Sequence, residues 1–243
     1  MESSDQTNQP APKVDCTLVI MAKAPKPGMV KTRLTRFLPA PVVTELYRCL
    51  LDDTMVLAKS LSGVEVAIMC PVSDVDDLSL LMDDSIRVVA QSGGGLAAGL
   101  TSVFAHFTST GPRRVIAFNS DSPHLPASVL KGAFEALSTC DVVIGPTHDG
   151  GYYLVGARAS HPGLFNHDGM GTSTALEALL ERVRVLGLSV RLVEPFYDID
   201  VAADLIRLDA ELRQSPPSAP RTAAWLAQWS PMVAQLKPEI GDL

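Results

Sequence analysis

The sequence predicts an α/β fold with a mostly parallel central sheet flanked by helices. Three observations carry the prediction. Strand-like and helix-like stretches alternate along the chain. The first strand-like stretch, "CTLVIMAK" (16–23), is a continuous apolar run of the kind buried on both faces of a parallel sheet. No internal repeat or strong mid-chain break divides the 243 residues, so one domain of this size accommodates them.

The elements follow in order. Residues 40–61 repeat apolar positions at helical spacing, with Val43, Leu46, Leu50, Leu51, Met55, Leu57 and Ala58 on one face. "VEVAIMC" (64–70) is the second strand, closed by Pro71. A short helix over 73–83 precedes a third strand, "IRVVAQ" (86–91), and a helix over 96–108 follows the "SGGG" turn. "RRVIAFNSD" (113–121) is a fourth strand and 126–137 a helix. Residues 140–158 read as two strands joined at Asp149–Gly150–Gly151. A helix over 172–187 stops at Gly187, "SVRLVEPFYDID" (189–200) is the last strand, and 202–212 is a helix. Residues 1–14 are expected to form a disordered leader, and 15–213 the domain. Residues 214–243 are expected to be a Pro-rich linker with a small terminal helix.

Composition narrows the function. Net charge is −7, from 20 basic and 27 acidic residues, which argues against nucleic acid as a partner. No stretch approaches 18 uncharged apolar residues, so no membrane span is expected. The N-terminus lacks the apolar core of a secretory signal, and the four cysteines contain no C-x-x-C pair. These features point to a reduced, cytoplasmic protein without structural zinc.

Against that acidic background, residues 22–33 concentrate Lys23, Lys26, Lys31 and Arg33 around Pro25, Pro27 and Gly28. Such a loop suits a di- or triphosphate, although a solvated loop is the plain alternative. It is neither a Walker A loop nor a dinucleotide fingerprint. In open α/β sheets ligands gather at the carboxyl ends of the strands. Lys23, Gln91, Asp121, Asp198 and Asp200 all fall there in the predicted arrangement. Asp121 reads either as a ligand for a hard cation or as a cap before Pro123. Asp198 and Asp200 read as partners in that cation site, with Asp200 alternatively a helix cap. "PTHDGGYYLVG" crowds His148, Asp149 and Tyr152 around Gly150 and Gly151, a place for substrate or simply a hairpin.

Four motifs together carry a resemblance: MAKAPKPGMVKTRL (21–34), NSDSPHL (119–125), GPTHDGGYYLVG (145–156) and DIDVAADL (198–205). In this order they resemble the nucleotide-diphospho-sugar transferase superfamily of GT-A fold. Within it they are closest to a bacterial glycosyltransferase-like family often linked with arsenosugar biosynthesis. The opening loop is also similar to that of 2-phospho-L-lactate guanylyltransferase. The resemblance implies a single GT-A-like, Rossmann-like domain. It places Ala22, Lys23, Lys31, Arg33, Gln91 and Asp121 against the nucleotide, and Asp121, Asp198 and Asp200 around Mg2+ or Mn2+. His148, Gly150, Gly151 and Tyr152 then face the second substrate, with Lys23 and Asp149 as catalytic groups. The chain departs from the family at QSGGGLAAG (91–99), where Gly95 and Gly99 replace an aspartate and an arginine.

Glycosyl transfer from a nucleotide sugar to a small acceptor is the first expectation. Nucleotidyl transfer from a nucleoside triphosphate, with release of pyrophosphate, is the second. A catalytically inactive nucleotide-binding protein is the third.

Overall fold

A computed structural model describes residues 15–111, 113–166, 169–214 and 218–236. Residues 1–14, expected as the leader, lie outside the described residues, as do residues 215–217 of the expected linker. Seven strands form one sheet in the order β3-β2-β1-β4-β6-β5-β7. They are β1 (Cys16–Met21), β2 (Val64–Cys70), β3 (Arg87–Ala90), β4 (Arg114–Asn119), β5 (Val142–Pro146), β6 (Tyr152–Ala157) and β7 (Val190–Leu192). All neighbours run parallel except β6, which pairs antiparallel with both β4 and β5.

The apolar run of β1 is explained by its place at the middle of the sheet. Leu18 and Ile20 enter the core on one face, and Val19 enters the core on the other. The first face packs α1 (Ala40–Lys59), α2 (Val75–Leu81) and α4 (Ala127–Ala136), and the second α3 (Gly95–Phe107) and α5 (Ala175–Val185). Register follows from this: Leu18 lies between Val66 and Ile116, with Val19 between Ala67 and Ala117. Shifting β1 by one residue would exchange the two faces.

A third apolar cluster joins α1 to α6 (Ala202–Gln214) and α7 (Pro220–Val233). Asp53 of α1, buried at 1% exposure, accepts hydrogen bonds from the Thr222 backbone N–H and hydroxyl and from the Arg221 N–H. It thereby caps α7 from a helix 168 residues away in the chain.

The last strand departs from expectation. The regular strand β7 is limited to Val190–Leu192, and all three are exposed at the sheet edge. Pro195 cannot donate to a ladder. Beyond Leu192 the chain continues beside the end of β5, with an isolated parallel bridge from Phe196 to Thr147, and then reaches the end of β4. The Val193 N–H donates to the Ile144 carbonyl at 2.9 Å, Phe196 to Pro146 at 3.0 Å, and Ile199 to Asp121 at 3.0 Å. That excursion, rather than a strand tip, delivers Asp198 and Asp200 to β4. The helix expected from 172 begins only at Ala175, and α7 begins at Pro220, inside the stretch expected to be linker. No helix among the described residues is long and apolar enough to cross a membrane. All four cysteines are free, three of them buried.

Candidate active site

The basic loop leaves β1 and is pinned at three points. The Ala22 N–H reaches the Met69 carbonyl, Lys23 N–H the Tyr47 hydroxyl at 3.0 Å, and Ala24 N–H the Asp74 carboxylate at 3.0 Å. Burial, with the nearby Asp121 charge adding to it, pushes Tyr47 up to about 12. Its hydroxyl therefore stays protonated against Ser120 Oγ at 3.1 Å. The loop cations are distributed unevenly. Lys26 pairs with Asp74 at 3.0 Å and Asp77 at 2.7 Å. Lys31 Nζ lies 2.8 Å from Asp121 and 3.5 Å from Asp200, its side chain only 5% exposed. Arg33 reaches Asp200 at 2.6 Å. Lys23 is exposed and makes no ion pair among the described residues.

Burial alone would lower the Lys31 pKa, but Asp121, Asp200 and Asp198 together raise it above the usual ammonium range. Asp198 is pushed up to about 6, chiefly by burial. Lys31 opposes that rise, while Asp121 and Asp200 add to it. The cluster thus carries more negative charge than its two cations balance.

Neither carboxylate caps a helix. The residue preceding α4 is Pro126, which leaves Asp121 free of the first turn. At α6 it is Asp204 that accepts the Asp200 and Val201 N–H groups, at 3.0 and 2.9 Å. Asp200 instead turns its side chain to Lys31 and Arg33.

The hairpin after β5 forms the opposite wall. Asp149 Oδ1 accepts the Gly151 N–H at 3.1 Å and the Thr147 hydroxyl, closing the turn on itself. Gly150 has φ +88°, and a Cβ there would meet the Ser173 carbonyl oxygen at 2.0 Å. Its own carbonyl accepts the Leu176 N–H at 2.9 Å, which fastens the hairpin to the start of α5.

Two cavities meet at the carboxylates. One of about 940 Å³ is lined by Ala22, Lys23, Lys31, Gln91, Gly93–Leu96 and Ser120, together with Asp121 and Asp200. The other, of about 490 Å³, is lined by Arg33, Thr147, Asp149, Gly151, Tyr152, Thr172 and Ser173, with Asp121, Asp198 and Asp200. Thirteen sequence-selected positions are therefore sorted by the fold. Of the loop cations, Lys23 and Lys31 line the larger cavity, Arg33 faces the smaller, and Lys26 lines neither. His148 is exposed, and neither it nor Gly150 lines either of these two cavities.

Sequence reasoning did not single out Tyr47, Asp74, Thr147 or Thr172–Ser173. Tyr47 sat inside a helical pattern. The Gly-, Ser- and Thr-rich stretch 169–174 was the available signal for a backbone wall. Among the described residues, no group of three His, Cys, Asp or Glu side chains is arranged to hold a metal ion, since Lys31 stands among the aspartates.

The fold is that of the nucleotide-diphospho-sugar transferase superfamily, which bears out the resemblance at that level. A candidate nucleotide-diphospho-sugar transferase from Desulfovibrio desulfuricans G20 superposes with a TM-score of 0.83 at 26% identity. The alignment covers 93% of this chain and 99% of that one. The 4-diphosphocytidyl-2C-methyl-D-erythritol synthase of Anaerococcus prevotii DSM 20548 shares the fold, with TM-score 0.56, 12% identity and coverage of 82% and 97%. So does Rv0371C of Mycobacterium tuberculosis H37Rv in complex with manganese, with TM-score 0.50, 17% identity and coverage of 80% and 97%. The family described as "uncharacterized protein conserved in bacteria", DUF2064, matches residues 54–172. That span contains Asp121 and the D-G-G hairpin. It excludes the basic loop and Asp200. Comparison with curated proteins finds no match.

Proposed function

We propose that the protein is a transferase that binds a nucleotide sugar and passes its glycosyl group to a small, neutral, hydroxyl-bearing acceptor. The observation that carries the reading is the junction itself. Asp121 and Asp200 border a larger cavity with lysines and glycine backbone, and also a smaller one with hydroxyls and carboxylates. A nucleoside diphosphate suits the first, where Lys23 and Lys31 line the wall and would meet phosphate oxygens. An acceptor with hydroxyls suits the second, where Thr147, Tyr152, Thr172 and Ser173 offer neutral partners. Asp149 lies on that wall within reach of an acceptor hydroxyl and acts there as base or orienting contact.

The carboxylates fit a hard divalent cation by the chemistry of their donors, three of them lining one cavity against the two cations Lys31 and Arg33. Asp121, Asp198 and Asp200 would hold Mg2+ or Mn2+, in keeping with the manganese bound to the M. tuberculosis neighbour. Such an ion would neutralise charge growing on a departing diphosphate.

Nucleotidyl transfer is the second reading, and Arg33 favours it. It is the one cation among the described residues lining the smaller cavity, where an anionic acceptor would bind. The test is incubation with Mn2+ and panels of nucleotide sugars and nucleoside triphosphates. Release of a nucleoside diphosphate is expected from the first panel. Pyrophosphate from the second, without diphosphate release, would replace the first reading. Neither product would refute both.

A further inference from the structure

Lys31 is the one non-glycine among the described residues with a left-handed backbone, at φ 47°. From that unusual position its side chain is enclosed at 5% exposure, and its ammonium spans Asp121 and Asp200. A lysine meant only for phosphate needs no such enclosure; Lys23 stands exposed in the same cavity. The ammonium and a divalent ion on the same two carboxylates would repel each other at close range. Withdrawing the ammonium without a new partner would leave a buried charge uncompensated, which is strongly unfavourable. Each half of the exchange is therefore opposed when it occurs alone.

We infer that Lys31 is an exchangeable internal counter-ion. A divalent cation takes its place between Asp121 and Asp200 only together with a phosphate-bearing ligand that receives the ammonium in the larger cavity. The geometry supplies what the exchange needs. Lys31 lines that cavity beside Lys23, so a phosphate bound there lies next to the displaced Nζ. Lys26 is already paired with Asp74 and Asp77 and does not line that cavity. Arg33 remains with Asp200 on the side of the smaller cavity. Metal and phosphate then raise each other's affinity by the same factor. The inference rests on the proposed reading in that the phosphate ligand is taken to be a nucleoside diphosphate.

Equilibrium dialysis of the full chain against Mn2+, with and without inorganic pyrophosphate, tests it. Excess metal on the protein side counts protein-bound ion whether or not the diffusible ion carries pyrophosphate. For the wild type, pyrophosphate is expected to tighten Mn2+ binding at least about tenfold. Lys31→Met, which removes the competing charge, is expected to bind Mn2+ alone about tenfold more tightly than wild type, with most of the pyrophosphate gain gone. Lys31→Arg keeps the charge and is expected to bind Mn2+ alone as weakly as wild type. A purely structural lysine would give the opposite result, with Lys31→Met binding metal no better or worse. That outcome, or wild-type Mn2+ binding indifferent to pyrophosphate, overturns the inference. The wild-type arm needs no variant to fold. If nucleotides fail to bind while the Mn2+–pyrophosphate coupling holds, the nucleotide reading falls and the exchange stands. If nucleotides bind without coupling, only the exchange falls.

Discussion

The loop after β1 and the hairpin between β5 and β6 border the same aspartates but are held by different forces. The loop is fixed by charges from distant parts of the chain: Asp74 on Ala24 and Lys26, and Asp121 and Asp200 on Lys31. The hairpin is fixed by backbone, with Asp149 closing its own turn and Gly150 packed onto Ser173. A wall of ion pairs can trade partners when a charged ligand arrives, whereas a wall of close backbone contacts is already in its binding shape. The contrast matches the proposed division, with an adaptable phosphate side and a preformed acceptor side.

The comparison breaks most directly at Gly150. Gly150→Ala places a methyl group into the Ser173 carbonyl at a left-handed φ, and is expected to cost about 3 kcal/mol of stability in urea unfolding. A loss below about 1 kcal/mol would show that the hairpin wall yields as readily as the loop.

The segment between β4 and α4, which carries Asp121, offers the next test. His124 is 8% exposed with no hydrogen-bond partner on either nitrogen, and its ring lies 4.7 Å from Phe196 and 4.5 Å from Tyr197. Burial lowers its pKa from 6.5 to about 4. The folded protein therefore resists a proton that the unfolded chain accepts. This group's stability is fully present above pH 6.5 and lost as pH falls toward 4, by roughly 3 kcal/mol. His124→Phe should flatten that part of the acid dependence in chemical denaturation compared at pH 7 and pH 4.5. An unchanged difference between the two pH values would place the acid sensitivity elsewhere.

The smallest expected effects sharpen the loop side. Asp74→Ala strands the Ala24 N–H and should cost about 1–2 kcal/mol in thermal unfolding. Lys26→Ala leaves that hydrogen bond intact and should give no measurable change, as an exposed pair usually does. Equal effects would mean that the ion pair, rather than the buried amide, holds the loop.

Much of this was legible in local pattern. Residues 64–70 and the two strands around Asp149–Gly151 follow from apolar runs and a turn dipeptide, and both depend only on neighbours in sequence. The last strand was overextended to residue 200 because "VRLVEPFYDI" alternates like a strand; Pro195 and the edge position end it at Leu192. The partners of Lys31 were not legible at all. A sequence shows where charge is concentrated, while Asp121 reaches Lys31 through the pairing of β4 beside β1, and Asp200 through the path of residues 193–200 to the end of β4. For the same reason Asp121 and Asp200 read equally well as caps until Pro126 and Asp204 were seen at the helix starts.

The measurement that bears most directly on the account is calorimetric titration of Asp121→Asn with a nucleoside diphosphate in the presence of Mn2+ and again with the metal chelated. Asn keeps the shape and removes the charge at the point shared by both cavities. Wild type is expected to bind in a metal-dependent manner. The variant is expected to bind at least about tenfold more weakly, with no difference between the two conditions. Wild-type affinity and metal dependence preserved in Asp121→Asn would contradict a nucleotide site built on these carboxylates.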